Sequence, residues 1–144
     1  MMGTESIGLY IHIPFCKHKC YYCDFNSYAQ KEQIIPAYVN AVKKEIEKYS
    51  TATANYKIKT VFIGGGTPSY INSRYITDIL SFCRSNLDFD PGAEISIEAN
   101  PGTLDTEKLQ DFKAAGINRI SIGLQSCNDI SLKKLGRIHD HGQF

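Results

Sequence analysis

The chain has 144 residues, about the size of one ordinary domain. Its formal net charge of +1 gives no basic field that would indicate a nucleic-acid partner, and no apolar stretch approaches the roughly 20 residues that a membrane-spanning helix needs. The start MMGTESIG lacks the charged-then-apolar order of a secretory signal. We therefore expect a cytoplasmic protein without a membrane segment, in a compartment where free cysteines persist.

Four strand-like runs recur along the chain, and the first three lead into a helical pattern. The runs cover residues 7–12, 59–64, 94–99 and 118–125. Apolar residues at helical spacing predict helices over about 36–49 and 73–86. A third helix is predicted to begin at the cap Asp105 and to stop at Gly116. Strands and helices that alternate in this way favour an α/β fold with a parallel sheet.

The end of the sequence interrupts this alternation. A short polar segment follows the fourth run, and HDHGQF stands where the helix after that strand is expected. A parallel strand left at an open edge is a poor end for a domain. We therefore interpret residues 1–144 as the N-terminal part of a longer domain.

The predicted strands carry apolar residues on one face only, whereas parallel strands buried on both faces usually read as continuous apolar runs. In EISIEA (94–99) the isoleucines share one face and the polar residues share the other. Buried polar side chains need hydrogen-bonding partners, and a polar ligand enclosed by the sheet would provide them. We therefore predict that Tyr10, Glu98 and Gln125 point inward, toward such a ligand.

Three of the five cysteines stand together in CKHKCYYC, directly after the first run. They are Cys16, Cys20 and Cys23. Three thiolates this close can hold three irons of a cubane iron–sulfur cluster and leave the fourth iron open. The alternative is a structural zinc site with His12 or His18 as the fourth ligand, although such sites usually separate two ligand pairs by a longer loop.

The other cysteines and histidines receive plainer interpretations. Cys83 falls on the apolar stripe of a predicted helix and is expected to be a small core residue, whereas no role is assigned to Cys127. His12 is expected to pack or hydrogen-bond inside the barrel, and His139 and His141 are expected to be solvated in the C-terminal tail.

Four motifs together resemble the radical S-adenosylmethionine (SAM) superfamily: CxxxCxxC, GGGTP, IEANP and SIGLQS, one at each strand-like run. Within it, YIHIPFC and CDFNS are most similar to the coproporphyrinogen dehydrogenase-like branch, and there to its haem chaperone group. The resemblance extends from Tyr10 to Arg137. It implies a partial (βα)6 TIM-like barrel of the radical SAM type, of which about four βα units are present. Residues 1–144 would then be the N-terminal part of a radical SAM core domain, without the rest of the barrel or a C-terminal domain.

The resemblance also implies the cofactors and their ligands. A [4Fe–4S] cluster would bind Cys16, Cys20 and Cys23, and SAM would chelate the open iron. The SAM contacts carried over from the family are Tyr10, Tyr22, Gly65, Gly66, Thr67, Glu98, Gln125 and Arg137. The tyrosines would flank the cluster and the adenosyl group, and the glycines and Thr67 would bring backbone close to the methionyl end. Glu98 would accept hydrogen bonds from SAM, Gln125 would contact its ribose, and Arg137 would pair with its carboxylate.

Two departures from the branch pattern bear on the activity. The coproporphyrinogen dehydrogenases carry a further cysteine where this chain has Phe25, and they have an N-terminal extension before the first strand. The resemblance therefore implies a haem chaperone-like protein in haem or porphyrin metabolism and leaves enzymatic activity open. The alternatives are an oxygen-independent coproporphyrinogen III oxidase and a non-enzymatic metal-binding module. The implied partners are haem or a porphyrin, a reductant such as flavodoxin or ferredoxin, and a haem-receiving protein.

Overall fold

The computed structural model describes residues 5–144, which form an α/β unit, as the alternating pattern predicts. In chain order its elements are β1 (Glu5–Ile13), β2 (Phe15–Cys16), β3 (Tyr28–Ala29), α1 (Ile35–Ser50), β4 (Tyr56–Gly65), α2 (Ser73–Asn86), β5 (Phe89–Ala99), α3 (Thr106–Ala114), β6 (Arg119–Ile122) and α4 (Asp129–Lys134). Single 3₁₀ turns lie at Glu32–Ile34, Pro68–Tyr70 and His141–Gln143. Among residues 5–144, no helix is long and apolar enough to cross a membrane.

The main sheet has four strands in the order β1-β4-β5-β6, and every neighbouring pair is parallel. Since parallel strands run in one direction, the loops that follow β1, β4, β5 and β6 all gather at the same edge of the sheet. A second, two-stranded parallel sheet pairs Phe15 with Tyr28 and Cys16 with Ala29. This pair closes the loop that carries the cysteines.

One face of the main sheet packs against the helices and forms the core. The strands contribute Ile11, Ile13, Val61, Ile63, Ile95 and Ile97, and the helices contribute Val39, Ile46, Ile76, Ile79, Leu80, Cys83 and Phe112. The opposite face carries Tyr10 stacked on Phe62, with ring centroids 6.1 Å apart. The predicted alternation therefore holds, although Ser96, on the polar face, is itself buried and donates a hydrogen bond to Glu94 Oε1.

The helices follow the predicted boundaries closely. α2 spans the predicted residues, and the Asn72 side chain caps it by accepting a hydrogen bond from Arg74 N. α3 begins after the predicted cap Asp105, whose Oδ1 accepts a hydrogen bond from Lys108 N at 2.7 Å. Gly116 follows α3 with φ +90°, the left-handed conformation that commonly ends a helix.

Three elements near the C-terminal half differ from the prediction. β5 begins at Phe89 rather than at residue 94, and a register irregularity between Ile58 and Thr60 accommodates the additional residues, which include Pro91 and Gly92. β6 ends at Ile122 rather than at residue 125. The short helix α4 forms where only a polar segment was predicted.

Asn118 joins β5 to β6 at the edge opposite the strand C-termini. Its Oδ1 accepts a hydrogen bond from Ile95 N at 2.8 Å, and its Nδ2 donates one to Ala93 O at 2.9 Å. The side chain therefore replaces ladder hydrogen bonds where the two strands first meet.

Candidate functional site

A cavity of about 330 Å³ lies at the C-terminal ends of the parallel strands, at the small end of the range for small-molecule sites. The predicted site residues in its wall are Cys16, Cys20, Tyr22, Cys23, Gly65, Gly66, Thr67, Glu98, Gln125 and Arg137. Tyr10 is not part of this wall. The motifs that follow the four main strands therefore meet at one place.

The cysteine loop supplies three free thiols to the cavity. Cys16 is buried at the end of β2, whereas Cys20 and Cys23 are partly exposed in the loop, where Cys23 N donates to Cys20 O. Burial raises the pKa of the Cys16 thiol, and a hydrogen bond with Ser27 partly offsets this. A thiol that coordinates a metal loses its proton outright. The raised pKa of Cys16 therefore does not prevent this buried sulfur from acting as a metal ligand.

The glycines after β4 hold the cysteine segment in place. Gly66 N donates to Ile13 O at 2.6 Å, and Thr67 N donates to Phe15 O at 2.8 Å. A Cβ on Gly66 would lie 2.8 Å from Phe15 O, and Gly65 has φ +125° with Ile13 O 2.7 Å from its Cβ position. GGGTP therefore lets two backbone segments touch directly, in addition to lining the cavity.

Glu98 and Tyr10 lie on the same face of the sheet in different surroundings. Glu98 lines the cavity, and its Oε2 accepts a hydrogen bond from Gly65 N at 3.2 Å. Burial, and secondarily the Glu98 charge, raise the pKa of Tyr10. Tyr10 is nevertheless 56% exposed and contacts His12 and Phe62. Its contact with SAM stays a prediction.

Gln125 reaches the cavity from a turn rather than from a strand. Beyond β6, Leu124 N bonds to Ile122 O at 3.2 Å, and Gln125 adopts φ +69°. A left-handed conformation at a residue other than glycine is uncommon and concentrates at functional sites. Gln125 points inward, as predicted, and lines the cavity. It does so from the bend after β6 and not through the alternation of side chains along a strand.

Arg137 connects several parts of the wall. Its Nη2 donates to Asn100 Oδ1 and to Gly123 O, each at 2.6 Å, and its Nη1 points at Cys20 Sγ at 3.6 Å. Arg137 Nη1 also lies 3.4 Å from the Tyr22 hydroxyl, whose pKa is raised by burial. Arg137 Nε is buried without an acceptor. Arg137 therefore has one donor left for an anionic ligand.

Asn100 was not predicted as a site residue. Besides accepting from Arg137, its Nδ2 donates to Thr67 Oγ1 at 2.8 Å, and it lines the cavity. The motif IEANP contains it, but its role depends on a partner 37 positions further along the chain, which no local pattern indicates.

The histidines correct one prediction and remove one of the two candidate zinc ligands, His12, whereas His18 lines the cavity with the cysteines. His12 Nε2 donates to Asn26 O at 2.8 Å, so its Nδ1 accepts from the Tyr10 hydroxyl at 3.0 Å, and both ring nitrogens are engaged. His139 was predicted to be solvated, which is wrong: it is 6% exposed, with Nε2 3.2 Å from Leu124 O. At the end of α4, Arg137 N bonds to Leu132 O, and the chain then returns to bring His139 against Leu124. His141 is exposed, as predicted.

The remaining cysteines are placed without ambiguity. Cys83 is fully buried in the core, as predicted, and Cys127 is exposed. Within residues 5–144, no group of three histidine, cysteine or acidic side chains is arranged to hold a single metal ion. A four-iron cluster does not require that arrangement, because each thiolate binds a different iron.

A family model described as the radical SAM superfamily matches residues 10–144, and the chain belongs to this superfamily. Membership implies a [4Fe–4S] cluster and SAM as cofactors. The chain is also similar to curated proteins named "Heme chaperone HemW". It is 42% identical to that of Haemophilus influenzae over 145 residues, with 97% of this chain and 38% of the relative covered. For Escherichia coli the identity is 43% over 140 residues, with coverage of 96% and 37%.

The fold comparison agrees with the sequence comparison. The solved structure of Escherichia coli coproporphyrinogen III oxidase (HemN), described as a radical SAM enzyme, matches with a TM-score of 0.89 and 32% identity. The match covers 97% of this chain and 32% of that chain. The prediction of a partial TIM-like radical SAM fold is therefore confirmed. The chain spans less than two-fifths of the length of these relatives.

Proposed function

We propose that this chain is the N-terminal part of a radical SAM core domain in a haem chaperone-like protein. The observation that carries the proposal is the meeting of three free thiols with Glu98, Gln125 and Arg137 around one cavity. The thiols are soft ligands suited to iron–sulfur clusters, and the other three side chains are polar groups suited to an amino acid and a nucleoside.

The donor set fits both cofactors. Cys16, Cys20 and Cys23 would hold the cluster, and the open iron would bind SAM. The buried, unpartnered Nε of Arg137 is what a carboxylate would satisfy. When bound, the two cofactors supply one-electron chemistry. The chain's own residues in the cavity wall would bind and orient SAM.

A haem chaperone is favoured over an oxidase by the residue at position 25. Phe25 lines the cavity and is 62% exposed, and it stands where the oxidase pattern has a further cysteine. The curated relatives named heme chaperone HemW support the same choice. The similarity to HemN favours coproporphyrinogen III oxidation as the second candidate.

The first experiment tests the cofactors. The full-length protein is reconstituted anaerobically with iron and sulfide, reduced, and examined by EPR with and without SAM. A [4Fe–4S]⁺ signal that changes when SAM is added supports an open iron with SAM bound to it. A cluster that is indifferent to SAM, or zinc without a cluster, contradicts the proposal and favours a passive metal-binding module.

The second experiment separates the two haem-related functions. The reconstituted protein is titrated with haem and, separately, incubated with coproporphyrinogen III, SAM and a reductant. Haem binding with unchanged coproporphyrinogen III is the expected result. Conversion to protoporphyrinogen IX would overturn the chaperone assignment in favour of the oxidase.

The proposal also requires an electron donor and a haem-receiving protein. Lys17 and Lys19 are exposed on the cysteine loop, so an acidic flavodoxin or ferredoxin would meet a complementary surface near the cluster. A cluster that needs reduction and free thiols both suit the cytoplasm, the expected location.

The donor surface predicts a specific defect. Lys17→Glu should slow reduction of the cluster by an acidic donor at low salt and leave chemical reduction by dithionite unchanged. Lys59→Glu, which changes an exposed lysine on β4, is the matched control. Equal rates for Lys17→Glu and the wild type, measured by stopped-flow absorbance, would contradict this docking surface.

A further inference from the structure

A chain of side-chain hydrogen bonds runs from the GGGTP segment to the cysteine loop. Thr67 Oγ1 accepts from Asn100 Nδ2 at 2.8 Å, and Asn100 Oδ1 accepts from Arg137 Nη2 at 2.6 Å. Arg137 in turn directs Nη1 at Cys20 Sγ, 3.6 Å away. The chain therefore joins residues contributed after β4, after β5, after α4 and within the cysteine loop.

The orientation of Asn100 is fixed by its neighbours. A guanidinium can only donate, so the oxygen of the Asn100 amide must face Arg137 and its nitrogen must face Thr67. The backbone of Asn100 is held as well, because Asn100 O accepts from Thr103 Oγ1 at 2.6 Å. Both ends of the residue are thereby restrained, and the acceptor for Arg137 is preorganised.

The restraint fixes a guanidinium that lines the cavity. Nη1 faces a cluster ligand, and Nε is buried without an acceptor. Hydrogen bonds and positive charge near cluster sulfurs stabilise the reduced, more negative state and so raise its reduction potential. A carboxylate in the cavity would pair with the same guanidinium.

We propose that Asn100 is a positioning residue that fixes the Arg137 guanidinium between the Cys20 sulfur and the ligand carboxylate, so that one side chain tunes both cluster potential and SAM affinity. Asn100 acts through Arg137 in this scheme. The inference rests on the proposed function, since it requires a cluster on the cysteines and SAM in the cavity.

The test compares two substitutions in the full-length protein loaded anaerobically with its cluster. Asn100→Leu keeps the size of the side chain and removes both hydrogen bonds. It should weaken SAM binding about tenfold, the effect of one charge-assisted hydrogen bond, and shift the cluster potential to more negative values. Asn100→Asp keeps the acceptor for Arg137, and the Thr67 hydroxyl can rotate to donate, so it should bind SAM more tightly than Asn100→Leu. Its added negative charge should itself make the cluster potential more negative, so SAM affinity is the property that separates these two variants.

Asn118→Leu is the control for structural damage. Asn118 makes two hydrogen bonds at the opposite end of β5, so its loss should lower stability without moving the potential or the SAM affinity. Wild-type values in Asn100→Leu, or the same losses in Asn118→Leu, would overturn the inference. A wild-type protein that forms no cluster, or does not bind SAM, would instead overturn the proposed function.

A double-mutant cycle covers the case in which Asn100→Leu assembles poorly. In an Arg137→Ala background, Asn100→Ala should add little further loss of SAM affinity, because the residue that it positions is already gone. Losses that simply add would show that Asn100 acts independently of Arg137 and would overturn the inference. The readouts are redox-titrated EPR and equilibrium SAM binding.

Discussion

Replacing Gly66 with alanine should displace the cysteine segment, because the new methyl group would overlap with the backbone of that segment. The added Cβ would lie 2.8 Å from Phe15 O and 3.0 Å from both Phe15 C and N. These are backbone atoms, so no side-chain rotation can relieve the overlap. Phe15 cannot retreat easily, because its side chain is 2% exposed and packs edge-on against Tyr38.

The size of the effect follows from the distances. Ordinary contact begins at 3.4 Å, so Phe15 and the glycine segment must separate by about 0.6 Å. Overpacking of this kind costs about 1–3 kcal/mol. The same movement stretches the hydrogen bonds from Gly66 N to Ile13 O and from Thr67 N to Phe15 O. Cys16 follows Phe15 directly, so its thiol should also be displaced from the other two.

The assay measures stability and iron content on the same preparations. Urea unfolding of the full-length protein should give a free energy of unfolding about 1–3 kcal/mol lower for Gly66→Ala, with less iron bound after reconstitution. Gly92→Ala is the matched control, because its nearest neighbour is Asp90 Oδ1 at 3.5 Å. If Gly66→Ala unfolds like Gly92→Ala and binds as much iron as the wild type, the glycine segment does not hold the cysteines.

Two further predictions concern ionisable groups. The hydrogen bond to Glu32 raises the pKa of Tyr70 from 10.0 to about 12, so its stabilisation is complete below pH 10 and is lost as the pH rises toward 12. The unfolding free energy of Tyr70→Phe should therefore fall less steeply than that of the wild type over this interval, and parallel curves would contradict the assignment. Burial raises the pKa of the Cys83 thiol to about 11, which keeps it a neutral core group. Cys83→Ala should retain full iron content, whereas Cys23→Ala should lose cluster; iron loss in Cys83→Ala would contradict this reading.

The parts of the fold that sequence predicts well are those fixed by local chemistry. α2 matches because an apolar stripe and a capping asparagine specify it within one segment. β5 is longer than predicted because Pro91 and Gly92 usually mark a turn, whereas in the structure they belong to the strand, opposite a register irregularity. β6 is shorter because the chain bends after Ile122, where Gly123 O and Leu124 O bond to the side chains of Arg137 and His139. These partners come later in the chain and have no local signal.

The residues of the site also differ in whether a local sequence pattern or a tertiary contact places them. Residue type and spacing identify the cysteines and the glycine motif in the sequence, and the structure places both at one cavity. Asn100 and the buried His139 have no such signal, because their partners are Arg137 and Leu124, distant in sequence. Tertiary contacts between ordinary polar residues are the part that a single sequence does not reveal.

The two kinds of contact in this site should also fail in different ways. The cysteine segment is held mainly by backbone contacts with GGGTP, from Ile13 and Phe15 to Gly66 and Thr67, so changes there should affect folding and cluster assembly together. The ligand side of the cavity depends on side chains, which can be changed with little effect on the main-chain framework. Variants of Asn100 should therefore separate SAM affinity from stability, whereas variants of Gly66 should not. The difference arises because the cysteine segment is held by backbone hydrogen bonds and the ligand side by side-chain hydrogen bonds. Comparing SAM affinity with stability in these variants therefore tests the cofactor proposal without knowledge of the substrate.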